Sequence, residues 1–154
     1  MDKAKKEAER LFFLKLRELN SLDYTLIKDN MLKNYTHISI LLDKSSSMTP
    51  TKSATLEGFN TFIEDQKADK GKTTVTLAQF ASNYEVSYSN RDIKEVPQLT
   101  NYTYKPNGMT ALRDSLHKLI TDTGAMLSSL PESRRPENVI ILVVTDGEEN
   151  SSKE

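Results

Sequence analysis

Ile38-Ser39-Ile40-Leu41-Leu42-Asp43 and Val139-Ile140-Ile141-Leu142-Val143-Val144-Thr145-Asp146-Gly147 are the two stretches on which the fold turns. Each is a short run rich in leucine and β-branched residues, the pattern of a strand buried on both faces of a parallel sheet. Each stops at an aspartate. Such strands need helices to cover them, and the sequence between supplies two. Leu56, Phe59, Phe62 and Ile63 fall on one side of a helix from about Thr51 to Lys67. Leu112, Leu116, Leu119, Ile120, Leu127 and Leu130 keep helical spacing from about Ala111 to Leu130, and Pro131 and Pro136 close that segment. Residues 73–80 alternate as a further strand, with 84–88 suited to pair with it as a hairpin. The stretch from Ser89 to Gly108, holding Pro97 and Pro106, reads as irregular surface structure. Strands alternating with helices indicate an α/β fold with a mainly parallel, doubly wound sheet.

Working outward, residues 3 to about 22 predict an N-terminal helix. Leu11, Leu14, Leu19 and Leu22, with Phe12 and Phe13, form its apolar stripe behind a Lys/Glu-rich start. The simplest use of that stripe is docking on the domain surface, with partner binding as the alternative. Residues 23–35 show no period and read as a connector. The organisation is therefore 1–33, helix and connector, then 34–154, one globular domain; 154 residues suit a single core.

Composition narrows the function classes. A net charge of −1 gives no electrostatic footing for nucleic acid or an acidic membrane. Without cysteine there are neither disulfides nor thiolate metal sites. The N-terminus mixes both charge signs from Asp2 to Arg10, and Lys15, Arg17 and Glu18 break the apolar run that follows, so it does not read as a secretion signal. Nothing approaches the roughly 20 apolar residues of a membrane span. The expected location is cytoplasmic, and the Asn-x-Ser/Thr triplets at Asn34, Asn101 and Asn150 read as unmodified.

The chemistry lies at the strand ends. In open α/β sheets, ligands sit in the crevice outside the carboxyl ends of the strands. Asp43 and Asp146 share that edge if their strands are neighbours. Asp43 also opens Asp43-Lys44-Ser45-Ser46-Ser47, a D-x-S-x-S run, and Gly108-Met109-Thr110 sets a threonine just before a helix. Asp43, Ser45, Ser47, Thr110 and Asp146 offer only oxygen donors, which suit hard divalent cations. The set favours Mg²⁺, or Mn²⁺, with Ca²⁺ a weaker fit and zinc or copper disfavoured by the want of soft ligands. His37 and His117 fall outside it. Taken singly, each residue has a plainer use: Ser45 and Ser47 as loop hydroxyls or caps for the helix near Thr51, Thr110 as a helix N-cap, and Asp146-Gly147 as a turn pair. The conjunction at strand ends is what points to a site.

These motifs, an apolar strand into D-x-S-x-S, a Gly-x-Thr opening a helix, and a second apolar strand ending Thr-Asp-Gly, resemble the metal-ion-dependent adhesion site of von Willebrand factor A domains. Gly58-Phe59-Asn60-Thr61-Phe62 and Thr110-Ala111-Leu112-Arg113-Asp114 resemble bacterial and phage versions, and the likeness covers roughly residues 36–150. The resemblance implies a Rossmann-like fold. It also implies that Ser45, Ser47 and Thr110 contact the metal through hydroxyls, with Asp43 and Asp146 acting directly or through water. Mostly neutral close ligands leave the ion's charge under-compensated, so that an acidic side chain of a partner protein can complete its coordination. One departure stands out: two strands with their helices follow Thr-Asp-Gly in this family, whereas only Glu148–Glu154 follow here. The chain thus reads as a C-terminally truncated version, expected to be stable mainly inside a multi-subunit assembly.

Rival classes fit less well. Magnesium-dependent phosphoryl hydrolases with D-x-D need a second carboxylate where Ser45 stands. Gly71-Lys72-Thr73 echoes a P-loop, but position 66 is Gln where glycine is required, and a strand follows where a helix should. No G-x-S-x-G elbow is present. Catalysis is therefore set behind binding. A structural subunit that keeps the fold without using a metal, within a phage or ATPase-associated complex, is the other alternative.

Overall fold

A computed structural model describes residues 32–146, 150, 152 and 153, with the side chains of Leu32 and Lys33 excepted. The helix expected over 3–22 and most of the 23–35 connector lie outside these residues. Six main elements follow in order: β1 (Leu32–Asp43), α1 (Lys52–Lys67), β2 (Lys72–Phe80), β3 (Tyr84–Asp92), α2 (Leu112–Ser129) and β4 (Pro136–Val144). They build one four-stranded sheet in the order β3-β2-β1-β4. β1 runs parallel to both neighbours, pairing Asp43 with Phe80 on one side and Leu42 with Val144 on the other. β3 turns back antiparallel on β2. β1 starts several residues before the apolar run that announced it.

Alternation along β1 divides the molecule into two layers. Ile38, Ile40 and Leu42 face α1, where Phe59, Phe62 and Ile63 meet Val75, Leu77, Ile140 and Leu142. Leu41, with Ala78 and Phe80, packs against Leu119 of α2, flanked by partly buried Leu112, Leu116, Ile141 and Val143. Helices on opposite faces make the sheet doubly wound. Among the described residues, no helix is long and apolar enough to cross a membrane.

Ser89 to Gly108 departs from expectation in two ways. β3 continues through Ser89 to Asp92, polar and largely exposed, because an edge strand needs no apolar alternation to pair on its inner side. Beyond it, Ile93, Val96, Leu99 and Tyr104 are buried in the α1 layer. Their anchor is not a periodic face but a side-chain amide. Asn60 Nδ2 donates to the Leu99 carbonyl at 3.0 Å, and Leu99 N donates to Asn60 Oδ1 at 2.8 Å.

The α2 face of β1 carries a polar network far from the strand's carboxyl end. His37 Nδ1 lies 2.7 Å from Thr74 Oγ1 and its Nε2 3.1 Å from Ser39 Oγ. Ser39 Oγ in turn lies 2.7 Å from Thr123 Oγ1 on α2. These partners satisfy a neutral imidazole, and burial lowers its pKa from 6.5 to about 4. Between those values the unfolded chain binds a proton that the folded chain refuses. Stability is therefore fully present above pH 6.5 and falls as pH drops towards 4, by about 3 kcal/mol at the limit from this group. Urea melts from pH 7 to pH 4 should show that slope, and His37→Gln should flatten it; an unchanged slope would count against the network's role.

Candidate functional site

The parallel strands deliver their carboxyl ends to one edge, and the loops leaving them are stitched together there. Asp43, the last residue of β1, is fully buried. Its Oδ1 accepts from Ser45 N at 2.8 Å and Ser45 Oγ at 2.6 Å, and its Oδ2 accepts from Thr145 Oγ1 at 2.7 Å. Ser47 Oγ lies 3.1 Å from Ser45 Oγ. Asp43, Ser45 and Ser47 thus form a continuous chain of contacts, joined from the far strand by Thr145.

The Gly108 loop is held against the same residues. Ser46 N donates to the Gly108 carbonyl at 2.9 Å, and Gly108 N donates back to Ser46 Oγ at 2.9 Å. Gly108 has φ +91, a conformation that glycine adopts without strain. Thr110, buried two residues on, is fixed by its successor, since Ala111 N donates to the Ala81 carbonyl at 2.9 Å. Asp146 follows β4, whose Val144 lies beside Leu42, and is exposed. All five residues singled out in the sequence therefore stand at one edge, with direct contacts joining Asp43, Ser45 and Ser47. Both histidines stand apart, His37 within the core and His117 exposed on α2.

Two observations bear on what this edge can hold. The hydroxyls do not serve as helix caps: Ser45 caps the 3₁₀ turn at Ser46–Thr51 only by position, with no side-chain hydrogen bond to it, and the N-cap of α2 is Ala111, not Thr110. Ser45 and Ser47 are loop hydroxyls gathered at Asp43. Moreover, Asp43 is a buried carboxylate that pairs with no Lys, Arg or His among the described residues. Lys44, its neighbour, turns instead to Glu85 at 2.8 Å. Three donors to one carboxylate lessen the cost of burying its charge but do not neutralise it. The described residues contain no cluster of three His, Cys, Asp or Glu. A cation at this edge would draw on hydroxyl oxygens as well as carboxylates, and the donor set fits a hard ion.

Tyr104 is a participant that the sequence did not single out. Its hydroxyl donates to the Asp43 carbonyl at 2.7 Å. Burial, and then the Asp43 carboxylate, push its pKa up to about 12; Thr55 opposes the shift and Asp146 adds to it. One phenol thus feels both strand-end carboxylates. A phenol at the end of a Pro-containing polar stretch carries no periodic signal by which it could have been found.

A cavity of about 470 Å³ opens on the α1 side, lined among others by Lys44, Phe59, Tyr88, Arg91 and Leu99. None of the five donor residues lines it.

Comparison with known families bears on the same residues. The family model described as von Willebrand factor type A domain matches residues 37–154, about three quarters of the chain. No curated protein matches it.

Proposed function

The chain belongs to the von Willebrand factor type A domain family, whose members generally mediate protein–protein interactions, and from that premise we propose that it is a divalent-cation-dependent protein-binding module. Mg²⁺ is the ion that best suits the donors, with Mn²⁺ next. Ser45, Ser47 and Thr110 would hold it through hydroxyls, and Asp43 and Asp146 directly or through water. The ion would supply a positive charge that the neutral hydroxyls leave only partly compensated. A partner's Asp or Glu then completes the coordination by a charge-assisted contact.

The observation that carries this reading is Asp43, buried at the head of D-x-S-x-S, ringed by hydroxyl donors and without a basic partner among the described residues. The test has two parts. Calorimetric titration of MgCl₂ into EDTA-treated protein should show saturable binding, and protein captured from the native source in Mg²⁺ should elute with EDTA. No uptake of Mg²⁺ or Mn²⁺, or a partner retained in EDTA, would overturn the proposal.

A second reading, as a structural subunit of an assembly, draws on β4, whose outer edge is unpaired among the described residues. Such a subunit should keep its assembly when Asp43 is replaced, whereas a cation-dependent binder should lose its partner.

A further inference from the structure

We propose that Asn150 is a positioning residue for Thr110, the central member of a clamp in which Asn150, Ser152 and Lys153 hold the loop donor and the first turn of α2. This inference rests on the cation-binding reading above and adds to it a residue outside the five donors.

One residue takes both backbone groups of Thr110. Thr110 N donates to Asn150 Oδ1 at 2.7 Å, and Asn150 N donates to the Thr110 carbonyl at 2.9 Å. The clamp then extends onto α2. Asp114 N, in the first turn, donates to Ser152 Oγ at 3.1 Å, and Lys153 N donates to Asp114 Oδ2 at 2.8 Å. Ala111 offers no side-chain acceptor to this helix end. Ser152 therefore serves a free amide that the local sequence leaves without a cap.

The consequence is positional. Thr110 lies in a loop between an irregular stretch and a helix, so neither a sheet ladder nor a helical turn sets its backbone. With N–H and C=O both engaged by Asn150, rotation of the Thr110 peptide planes is restrained and its side chain is aimed from a fixed Cα. Asn150 itself lies four residues after Asp146 in the chain. Partners that orient donor residues in this way govern affinity without touching the ion.

The test uses the full chain and Mg²⁺ alone as probe. Asn150→Ala should weaken Mg²⁺ binding about 10-fold or more, the effect usual for an orienting partner, while melting of the EDTA-treated protein changes little. Asn150→Asp, which keeps an oxygen acceptor for Thr110 N, should restore the affinity. In EDTA, the Thr110 amide should exchange faster in Asn150→Ala than in the parent chain, a readout of the clamp that needs no ion. Parent-like Mg²⁺ affinity in Asn150→Ala would overturn the positioning role alone. Failure of Asn150→Asp to rescue would also overturn it. Absence of Mg²⁺ uptake by the parent chain would remove the cation reading and this role with it, even with the exchange difference intact.

Discussion

Replacing Asp43 by alanine should abolish Mg²⁺ uptake and, with it, the thermal gain that the ion confers. A ligand that binds only the folded state at 100 times its Kd stabilises by about 2.7 kcal/mol. For a domain of this size that is roughly 5–10 °C in Tm. The parent chain should show this shift between EDTA and saturating MgCl₂, and Asp43→Ala should show none. Alanine also leaves Ser45 N, Ser45 Oγ and Thr145 Oγ1 without their acceptor, so the metal-free variant can melt early for a reason unrelated to the ion. Asp43→Asn separates the two effects. It keeps a carbonyl oxygen for the two Ser45 donors, and its amide NH₂ can donate to the Thr145 hydroxyl in place of accepting from it. With the charge removed, the increment should be lost, while the metal-free Tm should stay closer to the parent's than that of Asp43→Ala. A Mg²⁺-dependent shift that survives in Asp43→Asn would place the ion elsewhere.

The second large effect concerns the scaffold. Phe80 is fully buried at the end of β2, packed among Leu41, Ala78 and Leu119. Phe80→Ala removes a whole ring where strand and helix both constrain collapse, and should cost about 3–5 kcal/mol. Total stabilities of about 5–15 kcal/mol make that a large share of the fold. The urea midpoint should fall with little change in m-value. Val86→Ala on β3, 46% exposed, is the control and should stay within about 0.5 kcal/mol. A comparable loss at both positions would contradict the burial assigned to Phe80. The Phe80 carbonyl also accepts from Lys44 N at 2.7 Å, so the packing of β2 bears directly on the D-x-S-x-S loop.

What the sequence revealed, and what it hid, follows from how each part is held. Ile38–Asp43 and Val139–Val144 announced themselves because burial on both faces leaves no room for polar residues. The two helices did so because each covers one face at a regular period. β3 beyond Tyr88 was hidden: Ser89, Asn90 and Arg91 stand at an exposed edge, where ladder bonds suffice. Ile93, Val96, Leu99 and Tyr104 were hidden because Asn60, not an amphipathic pattern, brings their segment onto α1. At the candidate site, parallel strands and their register bring Asp43 and Asp146 to one edge, Ser45 and Ser47 follow Asp43 directly, and Thr110 reaches that edge through the bonds of the Gly108 loop to Ser46. Tyr104 and Asn150 act through contacts 61 and 40 residues away, at Asp43 and Thr110, and no local spacing encodes those.

β1, like β2, is paired along both sides, and its residues Ile38 to Leu42 are sealed between two helical layers. Its amide protons can reach solvent only when the whole domain opens, whereas a loop such as Gly108–Thr110, tied by a handful of bonds, can open by itself. The donor edge is thus assembled from two clocks. By that reasoning Asp43, at the end of β1, should open with the whole domain and Thr110 with its loop, so an event at this edge should be registered first by the loop while the strand holds the reference frame.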